Sequence, residues 1–281
     1  MEFTGHFQNH MRKIDVETWE AFEEQLRVLE ERLRVRNISE GEQYLFRGLG
    51  NSCWPLDTTL ERQEKRGMPL AYYYRLISKI RPEIEALTDT KWGTLPDPDE
   101  VGNWDYDKFS LMLAGIGGTF PGYSYMAYLR HEGFPSPLLD WTCTPYIAAY
   151  FAFRNAAKER VAIYAYLERP EGRKHWSSND PQIHTLGPYV QTHRRHFLQQ
   201  SKYTICLDFQ INRGWNFAPH ENVFARNDDG QDILLKFTIP STERIKVLKK
   251  LDSYNLNCFS LFDTAEALME TMAFRHIDFK G

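Results

Sequence analysis

Asp140, Trp141 and Thr142 sit between the apolar pair Leu138-Leu139 and Thr144-Pro145, which opens an apolar stretch ending at Arg154. A carboxylate, an indole and a hydroxyl at the mouth of a strand-to-helix turn can wall a ligand pocket. The same three side chains can close a packed corner, with Asp140 and Thr142 serving turn and cap donors and Trp141 filling core. Arg47 ends the run Tyr44-Leu45-Phe46 and precedes Gly48 and Gly50. Its permanently charged fork suits phosphate or carboxylate, and the glycines permit close backbone approach to a ligand. The alternative is a structural ion pair tying two segments together.

His131 falls at a helix end, where the dipole favours imidazolium, so it is either a structural residue or a proton carrier. Arg194, Arg195, Gln199 and Gln200 form a polar cluster ahead of a strand, suited to a phosphate, a ribose hydroxyl or simply solvent. His193 and His196 have ligand-like spacing, but no Cys or carboxylate within a few residues completes a set, so no metal is expected. Cys143 lies near His131, with nothing visible to lower its pKa. The phosphate-loop, dinucleotide, nucleophile-elbow and zinc-protease signatures are all missing.

The elements that must position these residues are legible in part. Val16, Trp19, Phe22, Leu26, Leu29 and Leu33 recur at three and four, which predicts an amphipathic helix with Asp15 as N-cap and Asn37 near its end. Strands are expected at Tyr44–Gly48, Val161–Leu167, Tyr203–Asp208 and Asp232–Ile239. Helices are expected from Pro69 to Leu87, with a kink or split at Pro82, and at Tyr106–Ala114, ending at the Gly117-Gly118 break. Further helices are expected at Tyr123–His131, Thr242–Leu251 and Thr264–Met272 behind Asp263. Residues 1–14 read as a tail or short strand, 88–105 as an exposed loop, and the segment between Leu167 and Pro188 as another. Few short strands among irregular loops predict an α+β fold, a single mixed or antiparallel sheet with flanking helices. The whole chain, 1–281, reads as one domain, with 1–40 a tail plus amphipathic helix and 41–281 the core.

Composition narrows the function. With 42% hydrophobic and 26% charged residues the chain is of the soluble globular type. A net charge of −4 provides no global attraction to nucleic acid or anionic lipid, so neither is an expected partner. The four scattered cysteines form no CxxC, and no leader or apolar run of membrane length is seen, so a cytoplasmic protein with reduced thiols is expected.

Taken together, Tyr44-Leu45-Phe46-Arg47-Gly48, the Leu60/Arg62 pair and His131–Phe153 closely resemble the FRG domain family, named for its F/Y-R-G motif. That family carries a stretch much like H-x-G-x-P-T-x-L-L-D-W-T-x-x-P-x-x-A-x-x-F-A. The likeness extends to Arg195 and Gln200 and to Asn255-Leu256-Asn257 with Ser260-Leu261-Phe262. Ser136 stands where Thr is common, Pro137 where Arg is common, and Ser201-Lys202-Tyr203 where Gly-x-Phe is usual.

The motif order is also similar to that of ADP-ribosyltransferases of the Arg-Ser-Glu type. That likeness implies an ADP-ribosyltransferase-like sheet and an NAD-binding pocket. Arg47 would bind the diphosphate, Thr142 and Asp140 would shape the nicotinamide-ribose site, and Gly48, Trp141 and Arg195 would line it. Gln200 would stand where the catalytic glutamate sits, and a neutral glutamine stabilises an oxocarbenium-like transition state poorly. Either Asp140 or Glu132 supplies the charge, with His131 beside it, or the fold binds a nucleotide without turning it over.

The resemblances therefore imply a nucleotide or NAD as ligand or substrate, no tightly bound cofactor, and a protein target if ADP-ribose is transferred. The biological setting they imply is bacterial stress or anti-phage defence. The competing expectation is a non-enzymatic module that senses a ligand or protein through the same cleft. A weaker third is a nuclease or phosphohydrolase built on Asp140 and His131.

Overall fold

The computed structural model describes residues 6–8, 11–35, 43–113, 120–169, 180–187, 194–224 and 232–280. Asn37, Gly117, Gly118 and His193 lie outside these residues. In chain order, β1 (His6–Gln8) and β2 (Met11–Asp15) lead into α1 (Trp19–Val35) and β3 (Leu45–Leu49). Then come α2 (Leu70–Thr88), α3 (Pro98–Val101), α4 (Tyr106–Leu113) and α5 (Tyr123–His131). Next are β4 (Leu139–Thr142), α6 (Pro145–Arg154), β5 (Arg160–Leu167), β6 (Gln182–Leu186) and α7 (Arg195–Leu198). The chain continues through β7 (Ser201–Gln210), β8 (Gly214–Phe217), α8 (Glu221–Phe224) and β9 (Ile233–Pro240). It closes with α9 (Arg244–Ser253), α10 (Cys258–Phe262) and α11 (Ala265–His276).

The described strands form one nine-stranded sheet in the order β1-β2-β9-β5-β3-β4-β7-β6, with β8 also paired to β7. All pairings are antiparallel except β2 with β9, so the sheet is mixed and the fold is α+β. The central strand β5 is buried on both faces. Val161, Ile163, Ala165 and Leu167 meet the helical layer of α1, α6 and α9, while Ala162, Tyr164 and Tyr166 meet a second cluster with Leu139 and Trp141. Two-sided burial is why this strand reads as an unbroken apolar run. A third cluster packs α2, α4 and α5 onto β7 and β8 through Tyr73, Tyr125, Tyr203, Ile205 and Trp215.

Two contacts set the geometry around β3 and β4. Thr144 caps α6, its hydroxyl accepting from the Tyr146 N–H at 3.4 Å, with Pro145 at the first helical position as expected. The Ala148, Ala149 and Ala152 side of α6 then presses onto β3. A Cβ at Gly48 would lie 1.8 Å from the Ala148 carbonyl, and one at Gly50 equally close to that of Asn155. The glycine at 48 is therefore required by strand–helix contact, a reason independent of any ligand.

Several elements depart from expectation. Asp15 ends β2 rather than capping α1. Thr18 does that work, its hydroxyl accepting from Ala21 N–H at 3.2 Å, while Glu243 takes the Trp19 N–H. The helix through Pro82 is continuous from Leu70 to Thr88. The stretches read as loops contain α3 and β6. The latter alternates too weakly to register, because it is recruited by pairing with β7.

Candidate functional site

A cleft of about 480 Å³ opens beside β3, β4 and the start of β7. Of the residues singled out from sequence, Arg47, Gly48, His131, Asp140, Trp141, Thr142 and Arg195 line it. Arg62, Arg130, Trp54, Gln199, Tyr203 and Phe262 complete much of the wall.

Asp140 is the hub. Strand β4 pairs along its length with β7, Asp140 opposite Tyr203, but meets β3 only at Phe46–Thr142. Beyond that pair Arg47 spans the two strands, its Nη1 donating at 2.6 Å to both the carbonyl and Oδ1 of Asp140. Arg130, at the end of α5, donates from Nη2 to the same Oδ1 at 2.8 Å. The two guanidinium side chains are 10% and 20% exposed, whereas the Asp140 carboxylate keeps 43% of its surface. Burial alone would raise the Asp140 pKa. Arg130 and then Arg47 overcome it and hold the carboxyl far below its ordinary range. Asp140 in turn raises Arg130. Arg47 is thus an ion-pair partner of Asp140 and a residue of the cleft wall at once.

Arg62 stands at the cleft mouth, exposed, and donates to the Asp57 carbonyl at a long 3.4 Å. Desolvation, then the neighbouring Arg47 and Arg130, lower its pKa, as like charges should. With Arg195, four arginines face a space whose lining contains one carboxylate, Asp140. Among the described residues the lining is thus richer in cations than in carboxylates, which concentrates anions there.

Behind Asp140, the Tyr203 hydroxyl and His131 Nε2 are 2.6 Å apart with their rings edge to face. Burial, reinforced by the Asp140 charge, pushes the Tyr203 phenol well up, so it stays neutral. His196 stacks on the same ring at 5.7 Å; desolvation, then Lys202, lowers its pKa.

The remaining residues have mainly structural duties. Thr142 is buried and its hydroxyl accepts from the Thr144 N–H at 3.3 Å. Trp141 is buried against Tyr166, ring centroids 5.3 Å apart, and its Nε1 donates to Thr204 Oγ1 at 2.8 Å. Arg195 lies over the Phe262 ring at 5.6 Å, and Arg154 over the same ring at 4.9 Å. Burial raises the Cys143 thiol, and Gln43 donates to its sulfur at 3.3 Å, so it is no activated nucleophile.

Gln200 is outside the cleft lining. It takes a left-handed backbone (φ +47°), is exposed, and its carbonyl accepts from Cys143 N–H at 3.1 Å. Gln199 occupies the wall instead, its Nε2 donating to the Leu261 carbonyl at 3.1 Å. Glu132 is exposed and likewise absent from the lining. Neither Gln200 nor Glu132 is thus among the residues that line the cleft. Sequence reading passed over Arg130, although it adjoins His131, and gave no role to Trp54, whose place in the loop just after β3 was the available signal.

Among the described residues, no group of three or more His, Cys, Asp or Glu is placed to hold a metal ion, and no helix is long and apolar enough to cross a membrane. Fold and cleft together define an α+β protein with an arginine-walled site at the junction of two splayed strands. Residues 42–161 match the FRG domain family, and the chain carries an FRG domain over that stretch. Arg47, Arg62, Arg130, His131 and Asp140–Thr142 all fall within it, whereas Arg195, Gln199, Tyr203 and Phe262 lie beyond. No curated protein and no solved structure matches the chain.

Proposed function

We propose that the cleft is a receptor for a phosphate-bearing nucleotide, with NAD or ADP-ribose as the leading candidates. One observation carries this reading: four arginines share a concave site with a single carboxylate that two of them already hold. Guanidinium forks match phosphate oxygens, and each charge-assisted hydrogen bond contributes about 1.5–3 kcal/mol. Binding is favoured over turnover because Asp140, the one acid in the lining, shares its charge with Arg47 and Arg130. It is poorly free to stabilise a developing oxocarbenium ion. A second reading, NAD glycohydrolysis or ADP-ribosyl transfer, draws on the Tyr203–His131 pair beside an ionised Asp140.

Thermal-shift and calorimetric titrations of the full chain with NAD, ADP-ribose, inorganic pyrophosphate and adenosine test the proposal. The three phosphate compounds should stabilise the protein, less so as salt rises, and adenosine should not. Arg62→Ala should weaken binding about 10-fold or more for one lost guanidinium contact. Absence of any shift at millimolar phosphate ligand sinks the reading. Nicotinamide release from NAD that disappears in Asp140→Asn would move the conclusion to the catalytic alternative.

A further inference from the structure

We infer that Trp54 is the base-stacking platform of this cleft, so that the ligand is recognised as a nucleotide and not merely as a diphosphate. The inference rests on the nucleotide reading above and adds to it the subsite for the planar base.

Trp54 belongs to the cleft lining yet keeps 44% of its surface exposed. Large aromatic side chains with that much exposure are unremarkable when scattered over a surface. This one borders a cleft that four arginines also line.

The loop that carries Trp54 is held rigidly. Ser52 N–H donates to the Arg160 carbonyl at 2.9 Å, and Cys53 N–H to Asn51 Oδ1 at 2.9 Å. Trp54 N–H donates to the Asn51 carbonyl at 3.2 Å, and Leu56 N–H to Glu221 Oε1 at 3.0 Å. Gly50, just upstream, is pressed onto the end of α6, and its carbonyl accepts from Ala157 N–H at 2.9 Å. An indole displayed from a pinned loop loses little conformational freedom when a ring stacks on it. Arg62 and Arg47 share the same lining, so a ligand with its base on Trp54 can direct its phosphates at the arginines. A two-ring purine covers the indole best, which makes purine nucleotides the fitting class, with ADP as the probe.

The test compares ADP with inorganic pyrophosphate on wild-type protein, Trp54→Ala and Trp54→Phe, with melting temperature as a check on folding. Wild type should bind ADP about 10-fold more tightly than pyrophosphate, within the range for one base on one aromatic ring. Trp54→Ala should erase that advantage while leaving pyrophosphate affinity unchanged, and Trp54→Phe should restore most of it. Equal affinity of wild type for the two ligands overturns the platform alone, as does an ADP advantage that survives Trp54→Ala. A parallel loss of both ligands in Trp54→Ala makes the residue a structural wall and also overturns it. If wild type binds neither ligand, the nucleotide reading itself fails and takes the platform with it.

Discussion

Replacing Asp140 by Asn should lower stability, make it less dependent on acid pH and tighten anion binding, three effects with one origin. The carboxylate accepts contacts of 2.6 and 2.8 Å from two mostly buried guanidiniums. Removing one partner of a fully buried pair costs about 3–5 kcal/mol, whereas exposed pairs are worth about 0–1. Since the Asp140 side chain is 43% exposed, an intermediate loss of about 2 kcal/mol is expected, screened further by salt. For a chain of this size that is a fall of roughly 3–4 °C in melting temperature.

The pH dependence has a definite sign. A carboxyl whose folded pKa is depressed stabilises the fold fully above its unfolded value of about 4, and the contribution fades as pH falls toward the depressed folded value. The gap between wild type and Asp140→Asn should therefore be flat between about pH 5 and 8 and narrow below about pH 4. With the carboxylate gone, all four cleft arginines lack an acidic counterweight in the lining. Pyrophosphate should then raise the melting temperature of the variant more than that of wild type. Calorimetric melts at several pH values, with and without pyrophosphate, provide all three readouts. A variant melting within about 1 °C of wild type at neutral pH, or a gap that widens in acid, would refute the reasoning.

Gly48→Ala forces a Cβ to 1.8 Å from a helix carbonyl, so it should destabilise by about 3 kcal/mol or more in denaturant melts. Gly93→Ala, with nothing within 4 Å, should change stability by less than about 0.5 kcal/mol. Gln200→Ala should leave pyrophosphate and NAD affinity within about twofold, because Gln200 is exposed and is not among the residues that line the cleft. Gln200→Gly should add about 0.5 kcal/mol of stability by relieving the left-handed backbone, read from the same melts. Trp141→Phe removes the hydrogen bond to Thr204, itself 2.8 Å from His220 Nε2, and leaves a void. A loss of about 1–3 kcal/mol is expected, with near-ultraviolet circular dichroism reporting the repacked corner.

Periodicity and local chemistry were enough for much of the scaffold. The three-and-four spacing from Trp19 to Leu33 is α1, the run from Val161 to Leu167 is β5, and Thr144-Pro145 begins α6. These features depend on neighbours within a few residues, so a linear reading reaches them. Strand β6 escaped it, because pairing with β7 outweighs weak local propensity, and the helix expected from Pro69 to Leu87 is not split at Pro82.

The site divides along the same line. From sequence alone, Arg47, His131, Asp140 and Thr142 stood out by residue type and punctuation, and each lines the cleft. Only the tertiary structure decided their roles. Arg47 and Asp140 are 93 residues apart and become partners because β4 enters the sheet between β3 and β7 and meets β3 at a single point. Arg130 joins them because α5 ends above the same carboxylate. Gln199 lines the wall, whereas Gln200, left-handed in its backbone, does not. Residue type decides what chemistry a position can do, a property carried by the chain itself. Which charges meet depends on strand order, which brings together residues far apart in the chain.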